Sequence, residues 1–135
     1  MRIVLRGPAA SAGEAREALR RLAEGAGLPD AVRHDLLVVA DELVGNWLKY
    51  GRAGAKEPEM EIQACVDASR LLLRFADTGP AFNPLAAAPP DLDVPLEERA
   101  IGGLGLLLVR ELTDTQRYAR VGDRNVLELS LSTTR

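Results

Sequence analysis

DELVGNWLKYG, Asp41 to Gly51, is the stretch whose reading decides the fold. Leu43, Trp47 and Tyr50 recur at the spacing of one helix face, and Gly51 is a natural helix stop. Glu42 and Asn46 lie one helical turn apart and share a different face. Reading backwards, Val32, Leu36 and Val39 continue the apolar stripe. The pattern predicts a helix from about Pro29 to Tyr50, with Pro29 in its first turn and Leu28 or Asp30 as its cap. Val32, Leu36, Val39, Leu43, Trp47 and Tyr50 form its predicted buried stripe. The helix therefore carries an acid and an amide away from its core face.

The flanks extend this reading. RIVLR, Arg2 to Arg6, alternates weakly and predicts a first strand, ended by Pro8. Ser11 with Glu14 has capping-box spacing, and the helix after it places Ala15, Ala18, Leu19 and Leu22 at helical intervals until Gly25 and Gly27. GRAGAKEP, Gly51 to Pro58, is a turn-rich loop. EMEIQACVD alternates, with Met60, Ile62, Ala64 and Val66 on one face. RLLLRFAD returns after a turn at Asp67-Ala68-Ser69, with Leu71, Leu73 and Phe75 inward. From Pro80 to Arg99 the chain is proline-rich and aperiodic, which marks a functional or disordered loop. IGGLGLLLVRELTD then opens a helix at Gly102, Gly103 and Gly105, with its body from Leu106 to Leu112. TQRYARV and NVLELSLS predict a last hairpin, turning at Gly122-Asp123. The order β, α, α, β, β, long loop, α, β, β predicts an α+β fold. It is a two-layer sandwich, a mixed β-sheet with helices packed on one face.

The chain has 135 residues, 47% of them apolar, enough for the core of a single domain spanning 1–135. The net charge is −3 and no basic stripe appears, which argues against direct nucleic-acid binding. The single cysteine, Cys65, has no internal disulfide partner, and MRIVLRGPAASAGEA lacks a signal-peptide core. Both features point to a cytoplasmic protein. No apolar run is long enough to span a bilayer.

Four places can carry chemistry. Glu42 can act as a general base towards a hydroxyl or water. Asn46 offers a neutral oxygen of the kind Mg²⁺ accepts beside phosphates and water. Alone, this pair also reads as a solvated helix edge. DTGPAF places Asp77 at a strand end, where its carboxylate can accept from an amino group, and Gly79 lets a flat ring approach the backbone. Alone, it also reads as a turn. GGLG leaves free N–H groups at a helix start, suited to phosphate, or is a plain glycine-rich cap. The loop at about 80–101 joins the second place to the third, as a lid would.

Together, E-x-x-x-N on a helix, D-x-G after a hairpin, a lid-length loop and G-G-x-G opening a helix resemble the GHKL ATPases, which have the Bergerat nucleotide-binding fold. Within them the chain is most similar to the small bacterial anti-sigma factor serine/threonine kinases. The closing GGLGLLLVRELTDTQRYARVGDRNVLELSL is especially like that branch. The resemblance implies ATP and Mg²⁺ as cofactors. It implies that Glu42 activates the attacking hydroxyl and that Asn46 holds Mg²⁺ between phosphates. It implies that Asp77 reads the adenine amino group beside Gly79, and that Gly103 and Gly105, with Gly102 adjoining, wrap the phosphates. Arg99 is the nearest basic residue of the lid to reach phosphate. The chain departs from the family at Tyr50, where relatives often have histidine. Trp47 replaces a small residue, and Ala81 stands at a second glycine position.

The function so implied is a protein serine/threonine kinase that phosphorylates a STAS-domain anti-sigma factor antagonist. It would also bind a sigma factor in partner switching, as a homodimer like many relatives. One alternative is a non-catalytic module whose protein binding is tuned by nucleotide. Another is the ATP-binding half of a split histidine kinase. The sequence offers no phosphoacceptor-histidine helix ahead of the domain, an expectation against a complete sensor kinase. His34 reads as a structural or exposed histidine and Cys65 as strand packing.

Overall fold

The computed structural model describes residues 1–7, 11–52, 57–86 and 103–134. The chain runs β1 (Arg2–Arg6), α1 (Ala12–Gly25), α2 (Asp30–Asn46), a π-helical turn (Trp47–Gly51), β2 (Glu59–Asp67) and β3 (Arg70–Asp77). A 3₁₀ turn (Pro84–Ala86), α3 (Gly103–Leu112), β4 (Thr115–Val121) and β5 (Arg124–Ser132) follow. The strands form one sheet in the order β1-β2-β3-β5-β4, and the helices cover one face. This is the two-layer α+β sandwich that the element order predicts.

The sheet expected to be mixed is antiparallel in all four pairings. The cause is where β5 goes. Strands β3 and β4 run the same way, joined through α3, but β5 inserts between them and pairs antiparallel with both. A parallel contact between β3 and β4 is thereby replaced by two antiparallel ones.

Alternation sets the register. Ile62 lies opposite Phe75, Leu73 opposite Leu129 and Leu71 opposite Leu131, all facing the helices. Leu5, Leu19, Leu36, Ile62, Leu71 and Leu131 are completely buried there, with Val32, Val39 and Val44 of α2 against them. Burying a side chain of this size contributes roughly 1.5–3 kcal/mol. Leu37, Ala40 and Val44 are buried as well as the predicted stripe, because α2 packs on α1, on α3 and on the sheet.

Three local expectations need correction. Ser11 is the N-cap of α1, but its side chain makes no capping bond, so the capping box is not formed. Pro29 is itself the N-cap of α2 rather than part of its first turn. Tyr50 is not in the buried stripe: it is 45% exposed, whereas Trp47 is 3% exposed. The π-helical turn over Trp47–Gly51 is the reason. It widens the helix by one residue and takes Tyr50 out of phase with the core.

Candidate functional site

The C-terminal end of α2, the end of β3 and the start of β5 surround a cavity of about 350 Å³. Leu43, Met60, Phe75, Leu106 and Leu127 give it apolar walls, and Tyr50, Phe82 and Pro84 stand at its border. Among the described residues its polar side chains are few: Asn46, Asp77, Tyr118 and Asn125, with the Tyr50 hydroxyl at the border. An apolar slot with a few convergent polar atoms is the usual form of a small-molecule site.

The sequence places Asn46 and Asp77 on separate elements, and the fold brings both to this cavity. Asn46 is the last residue of α2, and the buried nitrogen of its amide has no hydrogen-bond partner among the described residues. A ligand at the cavity could supply the missing partner of this amide. The indole nitrogen of Trp47 next to it is also buried and has no partner among the described residues. Two such orphans are costly at about 1–3 kcal/mol each.

Asp77 ends β3. Its Oδ1 accepts from the backbone N–H of Gly79 at 2.8 Å and from Asn125 Nδ2 at 3.2 Å. Among the described residues no hydrogen bond reaches its other oxygen. Burial pushes the Asp77 carboxyl above its ordinary value, against the opposing pull of the Gly79 and Asn125 bonds and of Arg120 and Arg124.

Glycine is required where these pieces meet. A Cβ at Gly79 would stand 2.6 Å from the carbonyl oxygen of Gly51 and 2.8 Å from Asp77 Oδ1. A Cβ at Gly51 would stand 2.6 Å from Trp47 Cδ1. The Trp47 indole, Gly51, Gly79 and Asp77 thus form one chain of close approaches.

Glu42 does not border the cavity. Its carboxylate lies against the first turn of α3, where a Cβ at Gly105 would overlap one of its oxygens. Gly103 is the first residue of α3, so both glycines lie inside the helix, and Leu106 behind them reaches the cavity wall. The predicted site residues Arg99 and Gly102 lie outside the described residues, as does most of the predicted lid.

The sequence reading missed Asn125, Tyr118 and Arg120. Asn125 is 7% exposed, and Tyr118 donates its hydroxyl to Asn125 Oδ1 at 2.6 Å. Arg120 donates to the carbonyl of Gly79 at 2.8 Å. One signal was available. Asn125 is the one amide on an inward alternation that continues as Leu127, Leu129 and Leu131.

Comparison with known proteins shows the family. The family model for the histidine kinase-like ATPase domain matches residues 7–131. The chain belongs to the histidine kinase-like ATPase family. Among curated relatives of this ATPase-family chain is the serine-protein kinase RsbW of Listeria monocytogenes serovar 1/2a, 28% identical over 103 residues. RsbW of Listeria innocua serovar 6a is 27% identical over the same length. Each alignment covers 73% of this chain and 66% of the relative, so the chain spans just under two thirds of those proteins. In fold the chain is similar to the Acinetobacter baumannii histidine kinase AdeS, with a TM-score of 0.52 at 19% identity. That match covers 100% of this chain and 68% of AdeS. It is also similar to the histidine kinase domain of the Erythrobacter litoralis EL346 blue-light activated kinase, with a TM-score of 0.57 at 14% identity. There the coverage is 91% of this chain and 59% of the other.

Proposed function

We propose that this chain binds ATP with Mg²⁺ and transfers its terminal phosphoryl group to a serine or threonine of a protein partner. The observation that carries the reading is that Asn46 and Asp77, from different elements, border one cavity whose α3 side begins beside Glu42. In this reading the second oxygen of Asp77 accepts from the adenine amino group, and the absent Cβ at Gly79 lets the Gly51 backbone and the Asp77 carboxylate close up beside the ring. Asn46 turns its amide to the phosphate side, and the backbone at Gly103 and Gly105, where α3 begins, faces the phosphates.

The residues fit a magnesium nucleotide. Among the described residues no three His, Cys, Asp or Glu side chains converge as a metal cage. Magnesium needs few protein ligands when phosphates and water supply the rest. Bound Mg²⁺ would neutralise charge on the transferred group. Glu42 would take the proton of the acceptor hydroxyl as the new P–O bond forms and the bond to the β-phosphate breaks, releasing ADP. Arg99 from the lid and Gly102 adjoining Gly103 are proposed to complete the phosphate side.

The similarity to RsbW supports a serine kinase of the anti-sigma type. The acceptor would be a STAS-domain antagonist, and the switching partner a sigma factor, in the cytoplasm. No helix among the described residues is long and apolar enough to cross a membrane.

The test is thermal unfolding with and without MgATP, on the wild type and on Asn46→Ala, followed by phosphotransfer to a STAS-domain protein. Nucleotide at a hundred times its Kd should add about 2.7 kcal/mol of stability to the wild type. Asn46→Ala should lose most of that gain. Glu42→Ala should keep it and lose transfer. Absence of any shift with millimolar nucleotide overturns the reading.

A further inference from the structure

Asn125 has an unusually complete set of partners for a side chain at a cavity wall. Its Oδ1 accepts from the Phe82 backbone N–H at 3.0 Å, the Tyr118 hydroxyl at 2.6 Å and Arg120 Nη1 at 3.2 Å. Its Nδ2 faces the carbonyl of Pro80 at 2.8 Å, Asp77 Oδ1 at 3.2 Å and the carbonyl of Gly79 at 3.4 Å. Three donors converge on the oxygen and three acceptors on the nitrogen, so the amide has one orientation. An aspartate here would turn an oxygen towards three other oxygens. An alanine would leave all six groups to find other partners.

We infer that Asn125 is the positioning residue of Asp77, and that through it the cavity discriminates between a purine bearing an exocyclic amino group and one bearing a carbonyl. The inference rests on the base-reading role proposed for Asp77. Asn125 Nδ2 and the Gly79 N–H together hold Oδ1, which fixes the carboxylate plane and leaves the second oxygen as the acceptor. An acceptor held in place matches an amino group and faces a purine carbonyl as oxygen against oxygen. Without Asn125 the carboxylate is held by the Gly79 N–H alone and can rotate out of that plane. Tyr118 acts one step further back, by orienting the amide. Arg120 ties the Gly79 carbonyl and Asn125 Oδ1 to the same guanidinium.

A plain structural role for Asn125 predicts something different. The residue staples β5 to the loop at Pro80 and Phe82, and losing a staple weakens binding of every nucleotide alike. The discriminating measurement is therefore a ratio. Calorimetric titration would give the affinities for MgATP and for MgITP, which differ in amino group against carbonyl, on wild type, Asn125→Ala and Tyr118→Phe. The expected result is that the wild type prefers ATP. Asn125→Ala should lower that preference tenfold or more, and Tyr118→Phe should lower it by a smaller factor. If both affinities fall together and the ratio holds, Asn125 is a staple only and the inference is overturned while the ATP reading stands. If the wild type binds both nucleotides equally, the base-reading role of Asp77 fails and the inference with it. Should Asn125→Ala fail to fold, Tyr118→Phe decides alone. It removes one hydroxyl and keeps the ring, and an unchanged ratio there overturns the inference.

Discussion

The carboxylate of Glu42 on α2 occupies the space where a side chain at residue 105 on α3 would begin. The two helices thus meet through an acid and a glycine, in the first turn of α3. Gly105→Ala tests this contact in two ways. Alanine is a better helix former by about 1 kcal/mol, yet its methyl must displace Glu42. The expected outcome is a small change in Tm and a fall in phosphotransfer of tenfold or more. In the background of Glu42→Ala the same substitution should raise Tm, because the obstacle is gone. A double-mutant cycle of Tm values without coupling would show that the two residues do not touch.

The close approach at Gly79 gives a second expectation. Gly79→Ala must move either the Gly51 backbone or Asp77, and strain of this kind costs about 1–3 kcal/mol. Nucleotide binding should fall with it, since both displaced groups border the cavity. Gly122→Ala provides a control: Gly122 has open space around it but a positive φ, so it should cost stability without affecting binding. Denaturant titration and a nucleotide-binding assay on both variants separate the two effects.

Asp77 links pH to stability with a definite sign. Burial raises its carboxyl pKa in the folded chain. A group that binds its proton more tightly when folded adds stability that is full below its unfolded pKa and is lost as pH rises through its folded pKa. Ionised Asp77 therefore opposes folding at neutral pH. Asp77→Asn should raise the Tm of the nucleotide-free protein at neutral pH, with the gain shrinking into the acid range, and it should abolish the preference for ATP. A variant less stable than wild type by the same amount at every pH would contradict this.

Glu59 carries the opposite sign. Its carboxylate accepts from Arg124 and, at 3.0 Å, from Arg6, and those partners hold its pKa below the ordinary glutamate value. Its contribution is present above the unfolded pKa and is lost as pH falls through the folded one. Glu59→Gln should cost about 1 kcal/mol or less at neutral pH, since ion pairs near the surface are weak. The variant should also show a flatter loss of stability on acidification. Equilibrium unfolding across the acid range would read both effects.

Strand content was legible where alternation is strict. EMEIQACVD, RLLLRFAD and TQRYARV form β2, β3 and β4 with the predicted ends. Glu42, Asn46, Asp77 and Gly79 were legible as candidates because polar residues interrupt apolar patterns or follow a strand end. What the sequence does not encode locally is which distant groups meet. Asn125 is separated from Asp77 by 48 positions, and its six contacts depend on β5 entering the sheet beside β3. The exposure of Tyr50 was hidden for a different reason. A π-helical turn shifts the phase of a helix without a composition signal of its own, so the stripe extrapolates past the point where it ends.

The insertion of β5 between β3 and β4 bears on the order of events during synthesis. Until Arg124–Ser132 has been made, β3 is an edge strand, and RLLLRFAD offers unpaired backbone groups beside Leu71, Leu73 and Phe75. Such an edge is a template for pairing with another chain. A nascent chain that already contains β1 to β4 therefore carries its most apolar strand pair half-finished. It also lacks the strand that bears Asn125. Completion of the sheet and completion of the cavity wall are one step in time, so a chain that stops short of β5 is left both aggregation-prone and without the amide that holds Asp77.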